Sequence, residues 1–96
     1  MNQSKGPLII NLKNYRETSG INAVQIAKEA EKVAKELDLR IWISPPQVLL
    51  GLVCKSTSLG VIGQHVDLEQ VGASTGYSIP EMIKDVGGIG SIINHS

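Results

Sequence analysis

The apolar positions of this 96-residue chain follow two different patterns. Between Ile21 and Leu37 they recur at every third or fourth residue, which predicts an amphipathic helix with one buried face. Four shorter apolar runs lack that spacing and predict strands of a parallel sheet, at residues 7–10, 39–43, 60–63 and 89–93. We expect the first of these strands to be buried on both faces.

The long helix carries further signals. Its apolar face is predicted to consist of Ala23, Ile26, Ala27, Ala30, Val33, Ala34 and Leu37. Thr18 and Ser19 precede the helix and offer hydroxyl groups that can cap its first turn. On the polar side, Glu31 and Lys35 are spaced to form a favourable ion pair one turn apart.

Two shorter helices are predicted between the strands, at residues 47–55 and 80–86. Pro80 suits the first turn of the second one, and Gly87-Gly88 ends it. The resulting order β-α-β-α-β-α-β predicts an α/β fold with parallel strands and right-handed crossovers. This pattern fits either a doubly wound open sheet or part of an eight-stranded α/β barrel.

Polar side chains follow the end of each predicted strand. They are Asn11 and Lys13, Ser44, Gln64 and His65, and Asn94 and His95. Because the carboxyl ends of parallel strands share one rim, we expect a polar mouth there, where α/β barrel enzymes do their chemistry.

Lys13 is either a fixed positive charge for an anionic substrate or an ordinary loop lysine. His95 is a general acid or base, a donor to a developing oxyanion, or a histidine with no role.

Composition narrows the functional classes. Nine Lys and Arg residues balance nine Asp and Glu residues, and aromatic residues are scarce, which argues against a nucleic-acid partner. A lone cysteine, Cys54, excludes a disulfide framework within one chain, and His65 with Asp67 lacks a convincing third ligand, so no metal site is predicted. No apolar run approaches the ~20 residues of a membrane span, and the start of the chain is polar. We therefore expect a soluble, cytoplasmic protein without a membrane partner.

Four segments, in order and at matching spacing, resemble the triosephosphate isomerase family. They are Asn11-Leu12-Lys13, Gln64-His65, Gly72-Ala73-Ser74-Thr75-Gly76 and Asn94-His95-Ser96. The residues that follow Gln64, and Asn94 before the histidine, resemble the shorter archaeal branch. The resemblance implies that residues 1–96 form one incomplete TIM-barrel domain, the N-terminal part of a (βα)8 barrel with strands one to four and helices one to three.

The same resemblance implies an activity and roles for individual residues. The reaction is the interconversion of dihydroxyacetone phosphate and glyceraldehyde 3-phosphate through an enediolate, in glycolysis and gluconeogenesis, without a cofactor. Lys13 is implied to hold the charge of the phosphorylated triose substrate and Asn11 to position its oxygens. His95 is implied to polarise the carbonyl as a neutral electrophile. Thr75 is implied to reach into a neighbouring subunit of a homo-oligomer, a dimer or tetramer, and to brace Asn11 there.

The family's general base, a glutamate after strand six, has no counterpart in these residues, nor do the closing loop and the phosphate-binding loops. We therefore expect the opening part of a larger enzyme, inactive by itself, whose unpaired strand edges favour association. Three alternatives stay open. They are a non-catalytic module that binds a phospho-ligand or a partner, another barrel enzyme with Lys13 as a Schiff-base lysine, and a fragment with no function of its own.

Overall fold

The computed structural model describes residues 6–93. In that range, the strands are β1 (Leu8–Asn11), β2 (Ile41–Ser44), β3 (Gly60–Gly63) and β4 (Gly90–Ser91). The α-helices are α1 (Ile21–Leu37), α2 (Leu50–Ser56) and α3 (Pro80–Asp85). Short 3-10 turns at Arg16–Thr18 and Gln47–Leu49 precede α1 and α2. The predicted order of elements is confirmed, as are the bounds of α1 and β3. None of the helices in this range is long and apolar enough to cross a membrane.

The strands form one parallel sheet in the order β1-β2-β3-β4. Right-handed crossovers between strands in sequential order bring every connecting helix to the same face of the sheet. A doubly wound sheet instead reverses its strand order and carries helices on both faces. The predicted α/β fold class is therefore confirmed, and the topology is consistent with the N-terminal part of a (βα)8 barrel.

The hydrophobic core lies between the sheet and its helices. Ile43 and Val61 are neighbours in the register of β2 and β3, so their side chains point to the same face. Ala23 and Ala27 of α1 and Val53 of α2 belong to the same buried cluster. The small alanine side chains let α1 lie close to the sheet. Full burial of a side chain such as Ile43 contributes about 1.5–3 kcal/mol.

Strand β1 is more exposed than predicted. Leu8 and Ile9 are 58% and 49% exposed, so the expectation that both faces are buried is wrong. The reason is that β1 pairs only with β2 among the described residues, which leaves its other edge uncovered. Strand β4 is shorter than predicted, although the N–H groups of Ile89 and Ile92 extend its pairing with hydrogen bonds of 2.9 and 2.8 Å to β3 carbonyls.

The start of α1 also differs from the prediction. Gly20, with φ of 56°, is the residue that caps the helix, and no side chain caps the first turn. The hydroxyl of Thr18 instead donates to the Tyr15 carbonyl at 2.8 Å, because Thr18 lies in the preceding 3-10 turn. Along the predicted apolar face, Ala23, Ala27 and Ala34 are buried, whereas Val33 and Leu37 remain exposed.

Candidate functional site

A polar cavity of about 340 Å³ opens at the carboxyl ends of β1 and β3. Its lining side chains are Asn11, Lys13, Asn14, Gln64 and His65. The polar groups predicted to follow these two strands therefore lie together. Amide, imidazole and ammonium groups around a small cavity suit an anionic, oxygen-rich ligand.

The backbone of Lys13 is held in an unusual conformation. Its φ of 56° lies in the left-handed region, which disfavours a residue with a side chain by about 1–2 kcal/mol. The Lys13 N–H donates to Oδ1 of Asn11 at 3.0 Å, and the Lys13 carbonyl accepts a bond of 2.9 Å from Nε2 of Gln64. Strained residues held by their surroundings cluster at functional sites. Lys13 lines the polar cavity in this conformation.

Gln47 supports the site from the 3-10 turn before α2 and was not among the predicted site residues. Its Oε1 accepts from the Gln64 N–H at 2.8 Å, and its Nε2 donates to the His65 carbonyl at 2.9 Å. Pro45 and Pro46 have no N–H with which to continue the pairing of β2 with β3. The side-chain amide of Gln47 takes over that pairing. A glutamine directly after a Pro-Pro that ends a strand is the signal that could have found it.

His65 and Asp67 form a second polar contact at the cavity rim. Nε2 of His65 lies 2.8 Å from Oδ1 of Asp67. Oδ2 of Asp67 accepts from the Ser78 N–H at 2.7 Å, and the Asp67 N–H donates to the Ser78 carbonyl at 2.9 Å. The Ser78 N–H, and next the His65 ring, lower the pKa of Asp67 below its usual value. These bonds join the two ends of the loop at residues 67–78.

Ser44 ends β2 directly beside the end of β1. The register pairs it with Asn11. Its side chain is fully buried, and its Oγ has no hydrogen-bond partner among the described residues. Buried hydroxyl groups normally have a partner. Because Ser44 is buried and does not line the cavity, it lies beneath the polar rim.

The other predicted site residues lie apart from the cavity or outside the described range. Thr75 is exposed on the loop at residues 67–78 and does not line the cavity. His95 lies among residues 94–96, outside the described residues. Strand β4 runs parallel to β3, so the carboxyl end of β4 faces the same rim. Within residues 6–93, His, Cys, Asp and Glu side chains form no group of three or more that is placed to hold a metal ion.

A second cavity, of about 590 Å³, lies between α3 and β4. Its lining is mostly aliphatic and includes Ile83, Ile89 and Ile93, with Lys84 as a charged side chain. Apart from Lys84 and Ser91, the side chains of this lining have no polar group for proton transfer or for binding substrate-like oxygens. The smaller polar cavity is therefore the better candidate for chemistry.

Comparison with known proteins identifies the family. The sequence model described as triosephosphate isomerase matches residues 7–96. The chain is similar to the triosephosphate isomerases of Pyrobaculum calidifontis (47% identical), Pyrobaculum islandicum (48%) and Sulfolobus acidocaldarius (42%), each over 89 residues and 93% of this chain. It spans 39% of the length of each of these relatives. The match over nearly the whole chain shows that it belongs to the triosephosphate isomerase family.

Proposed function

We propose that this chain supplies one part of a triosephosphate isomerase active site. The substrate is a phosphorylated triose, and the reaction interconverts dihydroxyacetone phosphate and glyceraldehyde 3-phosphate through an enediolate in cytoplasmic glycolysis and gluconeogenesis. The polar cavity around Lys13 is the observation that carries the proposal. Membership of the family supports the substrate class and argues against a Schiff-base role for Lys13.

The proposed role of each residue follows from the negative charge that develops on oxygen during the reaction. Removal of a proton beside a carbonyl places negative charge on oxygen, and fixed donors stabilise that charge best when they need no rearrangement. The ammonium of Lys13 holds the anionic substrate, and the amide of Asn11 positions its oxygens. His95, as a neutral imidazole, donates a hydrogen bond to the carbonyl oxygen. The isomerisation moves protons within one molecule and is redox-neutral overall, so no cofactor is required.

We propose that the general base is not among these 96 residues. The family resemblance implies a glutamate after strand six in this role, and no carboxylate lines the polar cavity described above. We therefore propose that residues 1–96, as one incomplete barrel domain, are inactive when assayed alone. Activity requires the remaining strands of a barrel.

Thr75 has a proposed role in assembly. The loop at residues 67–78 is closed at its base by the hydrogen bond from the Asp67 N–H to the Ser78 carbonyl, and Thr75 is exposed on the loop. Leu68 and Val71 are also exposed on this loop in the single chain. Exposed apolar side chains of this kind are typical of a surface that becomes buried against another subunit. We propose that the loop enters the site of a neighbouring subunit in a dimer or tetramer, where Thr75 braces Asn11.

A complementation assay tests the function. Residues 1–96 are assayed alone and together with the remaining segment of the Pyrobaculum islandicum relative, with a coupled enzyme measuring triose interconversion. We expect no turnover from the chain alone. We expect turnover from the complemented pair, lowered by about 100-fold or more in Lys13→Ala and in His95→Gln, as for loss of a donor to a developing oxyanion.

Two outcomes would contradict the proposal. Turnover by the isolated chain that His95→Gln abolishes would overturn its predicted inactivity. A complemented pair that binds phosphoglycolate without turnover would instead favour a non-catalytic phospho-ligand module. Gln25→Ala, on the exposed side of α1, is the control variant that should leave activity unchanged.

A further inference from the structure

We propose that Gln47 is a positioning residue for Lys13 and that it acts through Gln64. Gln47 does not line the polar cavity. Its side chain instead binds the backbone on both sides of the Gln64-His65 segment, and Gln64 in turn binds the backbone of Lys13. The importance of this chain of contacts for catalysis rests on the proposed function, whereas the positioning itself does not.

The geometry forms a continuous path of three hydrogen bonds. Nε2 of Gln47 donates to the His65 carbonyl at 2.9 Å, and Oε1 of Gln47 accepts from the Gln64 N–H at 2.8 Å. A side-chain amide that both donates and accepts fixes the direction in which the segment leaves β3. Nε2 of Gln64 then donates to the Lys13 carbonyl at 2.9 Å. This last bond joins residues that are 51 positions apart in sequence.

Lys13 needs such support because its backbone is strained. The left-handed φ of 56° persists only if surrounding contacts hold it, and Asn11 supplies just one of them, on the N–H side. Gln64 supplies the contact on the carbonyl side. A glutamine side chain has several rotatable bonds, so Gln64 is a reliable support only when its own backbone is fixed. Gln47 provides that fixation after Pro45 and Pro46 end the pairing of β2 with β3.

The contacts of Gln47 also distinguish it from an ordinary surface glutamine. Gln25, on α1, is exposed and is an example of an ordinary surface glutamine. Gln47 is half-buried, and both polar atoms of its amide are engaged with backbone groups of a distant segment. Loss of one such bond corresponds to about a 2- to 10-fold change in an equilibrium constant, so each bond makes a measurable difference.

The test compares NMR shifts of the Lys13 carbonyl carbon and of the amide nitrogen of Asn14, which follows that carbonyl. Gln64→Ala removes the donor directly and sets the reference shift. We expect Gln47→Ala to shift both signals in the same direction as Gln64→Ala, and the double variant to add nothing further. Gln25→Ala is the control and should leave both signals unchanged. An unchanged Lys13 carbonyl in Gln47→Ala would overturn the proposal.

Two further variants guard against a general loss of structure. Gln47→Met keeps the length of the side chain without its hydrogen bonds, and it should reproduce the shifts of Gln47→Ala with Trp42 fluorescence unchanged. Gln47→Glu keeps an acceptor for the Gln64 N–H but has no donor for the His65 carbonyl until its carboxyl group is protonated. We expect the wild-type shifts to return partly as the pH falls below about 4.3. No return in Gln47→Glu would contradict the two-sided contact.

Activity gives a separate measurement in the complemented enzyme. Gln47→Ala should lower kcat/KM about 2- to 10-fold, the range expected for loss of the one hydrogen bond from Gln64 to Lys13, and should have no further effect in a Lys13→Ala background. An additive effect in that background would contradict action through Lys13. A complemented enzyme without any turnover would contradict the proposed function, and the shift of the Lys13 carbonyl would then decide the positioning role by itself.

Discussion

Replacement of Gly88 by alanine is expected to destabilise the segment that leads into β4. A Cβ atom at this position would lie 2.7 Å from Cγ2 of Ile83 and 2.9 Å from the carbonyl oxygen of Ile83. The side chain of Ile83 is buried, and its carbonyl already accepts the N–H of Gly88 at 2.9 Å. The carbonyl oxygen cannot move without a shift of the backbone that ends α3, and the buried side chain of Ile83 has little room to rotate. Overpacking of this kind costs about 1–3 kcal/mol.

Gly51 provides the matched control. An alanine Cβ there would meet Val86 at 3.6 and 3.9 Å, which is ordinary contact, and the position lies inside α2. Gly51→Ala should therefore stabilise the chain by about 0.5–1 kcal/mol through reduced backbone entropy of the unfolded state. The two substitutions add the same methyl group and are expected to have opposite effects.

Urea unfolding followed by the fluorescence of Trp42, the single tryptophan, measures both variants. With a slope of about 2 kcal/mol per molar urea, Gly88→Ala should lower the midpoint by about 0.5–1.5 M relative to the wild type. Gly51→Ala should raise it slightly. Equal midpoints for the two variants at equal slopes would refute the steric reasoning.

Three further predictions concern the site and its support. Lys13→Gly should raise the free energy of unfolding by about 1 kcal/mol, since it relieves the left-handed strain, while turnover of the complemented enzyme is lost; a less stable variant would contradict this. Ser44→Ala, which removes a buried hydroxyl without a partner, should leave urea stability unchanged or raise it by about 1 kcal/mol. The Thr57 hydroxyl, and next the Ser58 N–H, lower the pKa of Glu31 from 4.5 to about 2. Glu31 therefore stabilises the fold above its unfolded pKa and loses that effect as the pH falls from 4.5 towards 2, so Glu31→Gln should flatten the fall in urea midpoint between about pH 6 and pH 3.

Elements with a long or strongly marked pattern could be predicted from the sequence. The bounds of α1 follow from its repeated apolar spacing over many turns. The stop at Gly87-Gly88 is confirmed in detail, because Gly87 adopts φ of 105° and both N–H groups bond back to carbonyls of α3. Burial of β1 was predicted wrongly, since a short apolar run does not show whether a neighbouring strand covers it. The prediction that a hydroxyl group caps α1 was also wrong, because the Thr18 hydroxyl has another local partner in the Tyr15 carbonyl.

The candidate site was likewise predictable from the sequence only in part. Asn11, Lys13 and Gln64 were predicted because polar residues after parallel strands share one rim, a rule that needs only the order of elements. The left-handed turn at Lys13 depends in part, and the bridge from Gln47 entirely, on contacts between segments far apart in sequence, which no local pattern contains. These are the contacts that hold the lysine backbone in its left-handed conformation. If strain at Lys13 is maintained by Asn11 on one side and by Gln64 on the other, removal of both supports should release it. The double variant Asn11→Ala, Gln64→Ala should then lose the benefit that Lys13→Gly otherwise brings to stability.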